Sequence, residues 1–398
     1  MRLGGERAGT MQRRNRRTAL AARACFTALL AAARLDAQAT AGADQPSAPA
    51  RADDDWPDVS GFLGEKYGFV PIVFPITEPA VGYGAAAGVA FVSNSLGEAR
   101  AGIGRPNITF VGGLATENGS WGFAAGDLRH WLDDRLQTLA GVVYAAVNLD
   151  YHGLGRNSEL EEHPLRYQLA PKAAAVQARY RVGDTLVWAG LRYAFAVTKV
   201  SFAAGSESEP LPEYESSSRV GGLTPLVSYD SRDNIFTPLR GTYLEACFGL
   251  FGKALGGDDS FQRASLTAIH YFRLPFQLYL GLRGDAAAAF GQTPFYLNPF
   301  IGLRGVPILR YQGEETAQAE AELRWQFWGR FSLVGFAGSG AAWNDFEHLD
   351  DTQGVVSGGG GFRYELARQY GLHGGVDVAF SRDTTAIYLQ VGSAWMRP

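Results

Sequence analysis

The sequence predicts an all-β chain: a membrane-spanning antiparallel up-and-down β-barrel of about 16 strands with one inward-folded loop. Three observations lead there. First, the 398 residues include 50 glycines, 12% aromatics and only 19% charged residues, a balance that fits poorly with ordinary globular packing. Second, no window approaches the roughly 18 uninterrupted apolar residues of a spanning helix. A membrane can then be crossed only by strands of about 9–11 residues that alternate apolar out and polar in. Third, such alternation begins near residue 69 and recurs to the end of the chain, and its connections alternate between tight and long.

The N-terminus reads as an export signal over residues 1–39. Arg13, Arg14, Arg16 and Arg17 form a basic region, Ala24 to Ala33 an apolar run, and Ala37-Gln38-Ala39 a small-x-small cleavage site. Met1 and Met11 both serve as a start for this pattern. Cys25 leaves with the signal, so Cys247 stands alone in the mature chain and reads as a small packing residue rather than a nucleophile. Residues 40–68, with Asp53-Asp54-Asp55 and several Pro and Ala, read as a flexible acidic periplasmic tail, too short for a folded domain. The barrel is expected over 69–398.

Strand candidates fall near 69–78, 80–93, 106–115, 120–131, 135–150, 165–182, 184–203, 219–230, 241–252, 260–273, 276–290, 317–328, 331–343, 355–367, 370–381 and 384–396. An even number suits a bacterial single-chain barrel. The even-numbered connections at Gly183-Asp184, Leu274-Pro275 and Gly329 are tight, whereas 151–164, the acidic 204–218, 291–316 and 344–354 are long. That asymmetry fits short periplasmic turns and long extracellular loops. Connections 94–105 and 230–240 break the pattern.

Within strands the faces separate. Phe276, Leu278, Leu280 and Leu282 oppose Gln277, Tyr279, Arg283 and Asp285; Ala321, Leu323, Trp325 and Phe327 oppose Glu320, Glu322, Arg324 and Gln326. Trp121, Trp131, Trp325, Trp328 and Trp395 sit near strand ends, where interfacial girdles occur. A soluble β-sandwich also alternates, but it does not call for an export signal and sixteen long glycine-rich strands.

Two motifs carry a family resemblance. The segment from Tyr229 to Tyr243, with Asp230, Arg232, Asp233, Pro238 and Gly241, resembles the turn signature of the BamA/TamA group of outer-membrane assembly and translocation barrels, the bacterial surface antigen family. Leu303-Arg304-Gly305 is similar to that family's loop motif, with Val306 where an aromatic is usual. The resemblance implies that the loop returns into the lumen and that its arginine is received by acids on the following strands. By position Glu322 is the matching acceptor, with Asp377 and Glu320 as further candidates. Phe336 to Gly340 matches a strand motif whose acid is replaced by Gly338. Gly361 and Arg363 match the next strand, and Asp377 the one after, with Gly375 where an arginine is usual. A guanidinium inside a lumen is tolerable only when paired, and carboxylates can pair with it bidentately; a solvated loop arginine is the alternative.

Pro71 and Pro75 cannot donate ladder hydrogen bonds, so they belong either to an edge strand or before the barrel. Gly392 and Trp395 lie in the last strand candidate, where a terminal recognition pattern is departed from by Met396-Arg397-Pro398. A weakened seam of this kind could open sideways, as the family's barrels are thought to do. The resemblance implies insertion or translocation of proteins or lipids; a passive pore shares the barrel physics without the loop motif. Because the tail holds no client-binding domain, a separate periplasmic partner or a homo-oligomer is expected alongside outer-membrane lipid. A net charge of -4 gives no reason to expect a nucleic-acid partner. The six histidines lack metal-ligand spacing and Gly358 to Gly361 opens no helix, so neither an enzyme nor a cofactor is expected.

Overall fold

The computed structural model describes residues 56–61, 68–93, 107–154, 160–161, 163–202, 214–344 and 352–396. The expected signal, the first part of the tail and the long connection after residue 93 lie outside these residues. Sixteen strands follow one another: β1 (Gly68–Glu78), β2 (Gly82–Ser93), β3 (Asn107–Thr116), β4 (Trp121–Trp131), β5 (Leu136–Tyr151), β6 (Leu165–Arg181), β7 (Val187–Phe202) and β8 (Tyr214–Asp230). The second half comprises β9 (Gly241–Phe251), β10 (Phe261–Leu274), β11 (Leu278–Gly291), β12 (Glu315–Trp328), β13 (Phe331–Trp343), β14 (Gln353–Ala367), β15 (Leu372–Ser381) and β16 (Thr385–Val391).

Each strand pairs antiparallel with the next in a single up-and-down sheet. β1 and β16 lie side by side, but among the described residues no ladder joins them, so the barrel is nearly closed with one seam. Pro71 and Pro75 stand inside β1, opposite Val89 and Ala85 of β2. Their missing N–H groups suit this edge strand. β16 has only seven residues and ends at Val391, well short of the expected 396.

The pleat sorts side chains as the alternation requires. Arg283 faces Glu320, Gly281 faces Glu322 and Tyr279 faces Arg324 across β11 and β12, while Glu320 in turn faces Gly338 of β13. Glu320 and Arg324 are buried inside the barrel, whereas Leu282, Leu323, Trp325 and Leu333 are exposed on its outer face. Trp131 and Trp328 are likewise exposed near strand ends, and Trp121 is half-buried. Two sequence assignments need correction. Phe276 belongs to a tight turn in which it and Gln277 both have φ of 59°, the twist that two-residue hairpins favour. Trp395 is buried rather than girdling the outside, because the chain turns inward after β16.

Among the described residues, connections at the rim where β1 begins and β16 ends are short except for 231–240 between β8 and β9. At the far rim, 292–314 between β11 and β12 drops into the lumen. Its inward course is set by apolar side chains. Ile301, Leu303, Val306 and Tyr311 pack with Ala342 and Val355 on one wall, and Leu309 and Phe295 pack among Tyr151, Tyr167 and Phe202 on the opposite one. Burying these side chains in a lumen that would otherwise hold water is favourable by roughly 1.5–3 kcal/mol each.

Candidate functional site: a lumenal latch behind the seam

The loop is an arch. Phe300 bridges Gln312, the Ile301 N–H donates to the Tyr311 carbonyl at 3.0 Å, and the tip closes with Val306 N–H donating to the Leu303 carbonyl at 3.1 Å. Gly305 has φ of 84°, and a Cβ there would lie 3.1 Å from that of Ala379 on β15, so glycine alone fits without strain. The tip therefore presents Arg304 to the wall with little freedom.

Arg304 is ringed by acids. Its Nε donates to Glu320 Oε1 at 2.8 Å and its Nη1 to Asp377 Oδ2 at 3.0 Å. Glu322 Oε2 lies 2.7 Å from Nη1 but makes no aligned hydrogen bond, so that contact is one of charge rather than direction. The acceptor expected at Glu322 is thus present, yet the directional partners are Glu320 and Asp377. The ring of Phe336 stacks 3.6 Å from the guanidinium carbon. Burial pushes the Arg304 pKa down, and the combined charges of Glu322, Glu320 and Asp377 outweigh it, holding the guanidinium above its ordinary range.

The departures from the family pattern have physical consequences. A Cβ at Gly338 would lie 3.0 Å from Leu303 Cδ2 and 3.2 Å from Glu320 Cγ. The residue that lacks the expected acid thereby makes room for Glu320, its ladder partner, to supply one. Gly340 is filled in the same way by Ile301, 2.8 Å from the position of a Cβ. Gly361 lies opposite Asp377 and leaves space for its carboxylate. Asp377 is fully buried and receives a bidentate pair from Arg363 Nη1 at 2.6 Å and Nη2 at 2.7 Å, from the strand on which Gly361 lies. Gly375 carries no arginine and faces Arg363 across the ladder. Val306, in place of an aromatic, is buried in the loop cluster.

The turn at 231–240 has its own order. Arg232 Nε and Nη2 grip Asp230 at 2.8 and 2.9 Å, and the guanidinium lies 4.6 Å from the Tyr243 ring centroid. Asp233 accepts the Leu239 and Arg240 N–H groups at 2.9 and 3.3 Å; burial nevertheless raises its pKa above the usual carboxylate value. Gly241, with φ of 103°, stands where a Cβ would meet Ser231 O and Arg232 Cα. The turn is long because it reaches under the lumen. Asn234 Nδ2 donates to the Tyr370 carbonyl at 2.7 Å, and the Phe236 carbonyl accepts the Ser393 N–H at 2.5 Å. Pro238 and Thr237 line a small cavity with Glu322, Arg324 and Arg363.

Sequence reasoning missed what connects these parts. Gly392, with φ of 76°, turns the chain inward after β16, and its N–H donates to the His373 carbonyl at 2.7 Å. Trp395 then packs among Tyr243, Ile269 and Tyr271, and its Nε1 donates to Glu320 Oε2 at 2.7 Å. Glu320 joins the loop above to the C-terminal tail below. The loop also touches both seam strands from inside. Ile308 N–H donates to Glu78 of β1 at 3.1 Å, and Gly305 N–H to the Tyr388 hydroxyl of β16 at 3.0 Å. Behind the seam is a cavity of about 260 Å³, bounded by Glu78, Tyr388, Leu303 and Trp395. The only sequence signal for Tyr388 was its inward parity, which every second residue of a strand shares.

No protein-family model and no curated protein matches this chain. Solved structures do. BamA from Haemophilus ducreyi lacking POTRA domains 1–3 superposes with a TM-score of 0.55 at 12% identity, over 82% of this chain and 70% of that one. The barrel is similar in fold to that of BamA. CdiB from Escherichia coli gives 0.56 at 11% identity over 84% of this chain, and CdiB from Acinetobacter baumannii 0.50 at 8% over 81%. The chain spans 61% and 59% of those two CdiB chains. At such identities the BamA and CdiB likeness is one of fold, and function has to be argued from the latch and seam.

Proposed function

We propose that this chain is an outer-membrane barrel of the BamA/TamA-like superfamily, of the surface antigen type, that takes part in inserting or translocating proteins or lipids. In this reading it is exported by a cleavable signal over 1–39, sits in outer-membrane lipid, and works with a separate periplasmic protein or as a homo-oligomer. It is not an enzyme and uses no cofactor. The observation that carries the reading is the seam. β1 and β16 share no ladder among the described residues, and the arginine-bearing loop hydrogen-bonds both strands from inside. A pore has no use for a seam clasped in this way, whereas a barrel that opens sideways needs one that is closed by few, reversible bonds. The exposed outer face of Leu282, Leu323 and Leu333 supports the lipid environment, and the fold likeness to BamA and CdiB supports the superfamily.

The test is a strain depleted of this protein, compared for outer-membrane protein and lipid content and complemented with wild type or with barrels carrying disulfides between β1 and β16. Loss of a class of outer-membrane components, restored by wild type and not by the locked barrel unless reductant is added, is the expected result. Full complementation by the locked barrel, together with steady conductance of the intact protein in planar bilayers, would refute it in favour of a passive pore.

A further inference from the structure

The inner face of the barrel differs from one wall to the other. Glu78 meets the lumenal loop, so it and the residues of its parity on β1, Ile76, Phe74 and Ile72, point inward. The ladders carry this face from Phe74 to Ala86 of β2 and Leu114 of β3, and from Ile108 of β3 to Leu128 of β4 and Leu139 of β5. Among the described residues, the inward positions of β1–β4 between Glu78 at one end and His130 at the other carry no ionisable side chain. Much of this wall stays open on the lumenal side: Phe74, Leu114, Leu139 and Val143 are 45, 40, 38 and 37% exposed. The loop reaches the wall at its extracellular end, where Ile308 meets Glu78 and Leu309 packs with Leu149, and it leaves those four side chains uncovered. The opposite wall is the charged one that receives Arg304. A barrel that holds only water is ordinarily polar inside, whereas large apolar side chains held against water mark a surface that something apolar covers.

At its far edge the wall turns basic. The ladder that joins Leu128 to Leu139 continues to Gln177 of β6 and Arg192 of β7. Arg192 Nε donates to Gln177 Oε1 at 2.8 Å. Nearer the rim where β1 begins, the buried Arg179 donates from Nε to Gln137 Oε1 at 2.7 Å. Among the described residues Arg192 forms no ion pair, so a neutral amide holds it and its positive charge is not cancelled.

We propose that the inner wall of β1–β5 binds a phospholipid, whose acyl chains lie across Leu139, Val143, Leu114 and Phe74 and whose phosphate sits at Arg192. From β1 to β5 is four strand spacings of about 4.8 Å, about 19 Å in all, and one acyl chain spans the half-thickness of a bilayer core, about 15 Å. The wall ends at the seam. β1 is apolar on both faces there, with Val73 71% exposed outside and Phe74 exposed inside, so a lipid that enters sideways stays on apolar surface throughout. Lipid rather than protein is then the client of seam opening. That route rests on the functional reading above, whereas the wall stands on its own geometry.

The test uses two phosphatidylglycerols with a diazirine in an acyl chain: one short-chained and presented from solution to the full chain in detergent, one long-chained and built into liposomes. After irradiation the labelled residues are mapped by mass spectrometry. Val142 and Val143 point to opposite faces, as do Val73 and Phe74, so each pair of neighbours reports outside against inside. From solution, the short probe should label Val143 and Phe74 as readily as Val142. L139S/V143S should lower labelling at Phe74 and Leu114 by about tenfold and leave Val142 unchanged. R192Q should lower inner labelling several-fold. Labels confined to outward residues, or inner labelling unchanged in either variant with heat-modifiable mobility retained, would overturn the proposal. Confinement to outward residues is also the outcome if the chain's own N-terminal segment covers the wall. If L139S/V143S does not fold, V143T, close to valine in shape, decides by the same criterion. The liposome arm is separate. A β1–β16 disulfide that abolishes inner labelling in liposomes but not from solution supports sideways entry, whereas inner labelling in liposomes that the lock leaves unchanged refutes the seam reading and keeps the wall.

Discussion

Glu320 and Glu322 lie two residues apart on one strand and touch the same guanidinium, yet they should differ sharply in what they contribute. Glu320 is 2% exposed in its side chain, accepts an aligned bond from Arg304 Nε at 2.8 Å, and accepts a second from Trp395 Nε1 at 2.7 Å. Glu322 is 18% exposed and approaches Arg304 off line. A hydrogen bond to a buried charged group contributes about 1.5–3 kcal/mol, whereas a partly solvated pair without alignment contributes about 0–1. Glu320→Gln should therefore cost about 2–3 kcal/mol and Glu322→Gln less than about 1. Arg304→Met removes the common partner of three carboxylates and should cost about 3–5 kcal/mol, with Asp377 still held by Arg363. The assay is urea unfolding in liposomes, followed by tryptophan fluorescence and by heat-modifiable electrophoretic mobility. The double variant R304M/E320Q should lose scarcely more than R304M alone, since both changes break one contact. A Glu322→Gln cost equal to or above that of Glu320→Gln, or full additivity in the double variant, would refute the assignment.

Other consequences can be checked in the same assay. Trp395→Ala should cost about 3–5 kcal/mol, as for other buried large aromatics, and should loosen the β16 end. Gly281→Ala places a Cβ 2.7 Å from Trp395 Cζ3, so it should expose that indole to collisional quenchers without altering the outer face. Gly241→Ala forces a side chain into φ of 103° against Ser231 O and should destabilise by about 1–3 kcal/mol. Deleting residues 295–312 removes the arch that fills the lumen and should raise single-channel conductance well above that of the intact barrel; unchanged conductance would mean that the loop does not obstruct it.

The strand ladder was legible because its signal is local. Period-two alternation and short turns recur in every hairpin, and in a barrel each strand pairs with its sequence neighbour, so register follows from turn positions. The latch was legible only in part. Leu303-Arg304-Gly305 and Asp377 could be marked by resemblance, but which acid aligns with the arginine depended on Gly338 leaving space for Glu320, a fact about two strands and a loop at once. Trp395 read as a rim aromatic because sequence periodicity cannot tell that the strand ends at Val391 and that Gly392 then turns the chain inward.

The sequence by itself therefore determined the all-β class, the sixteen strands, the inward and outward faces and the loop that bears Arg304, since each is written in neighbouring residues. Tertiary structure alone decided how Arg304 is shared among Glu320, Glu322 and Asp377, how Trp395 reaches Glu320, and how residues 56–61 dock against Arg330 and the turn between β14 and β15. Those contacts join residues from 16 to more than 300 positions apart, and only the closed curvature of the sheet brings them within hydrogen-bond distance.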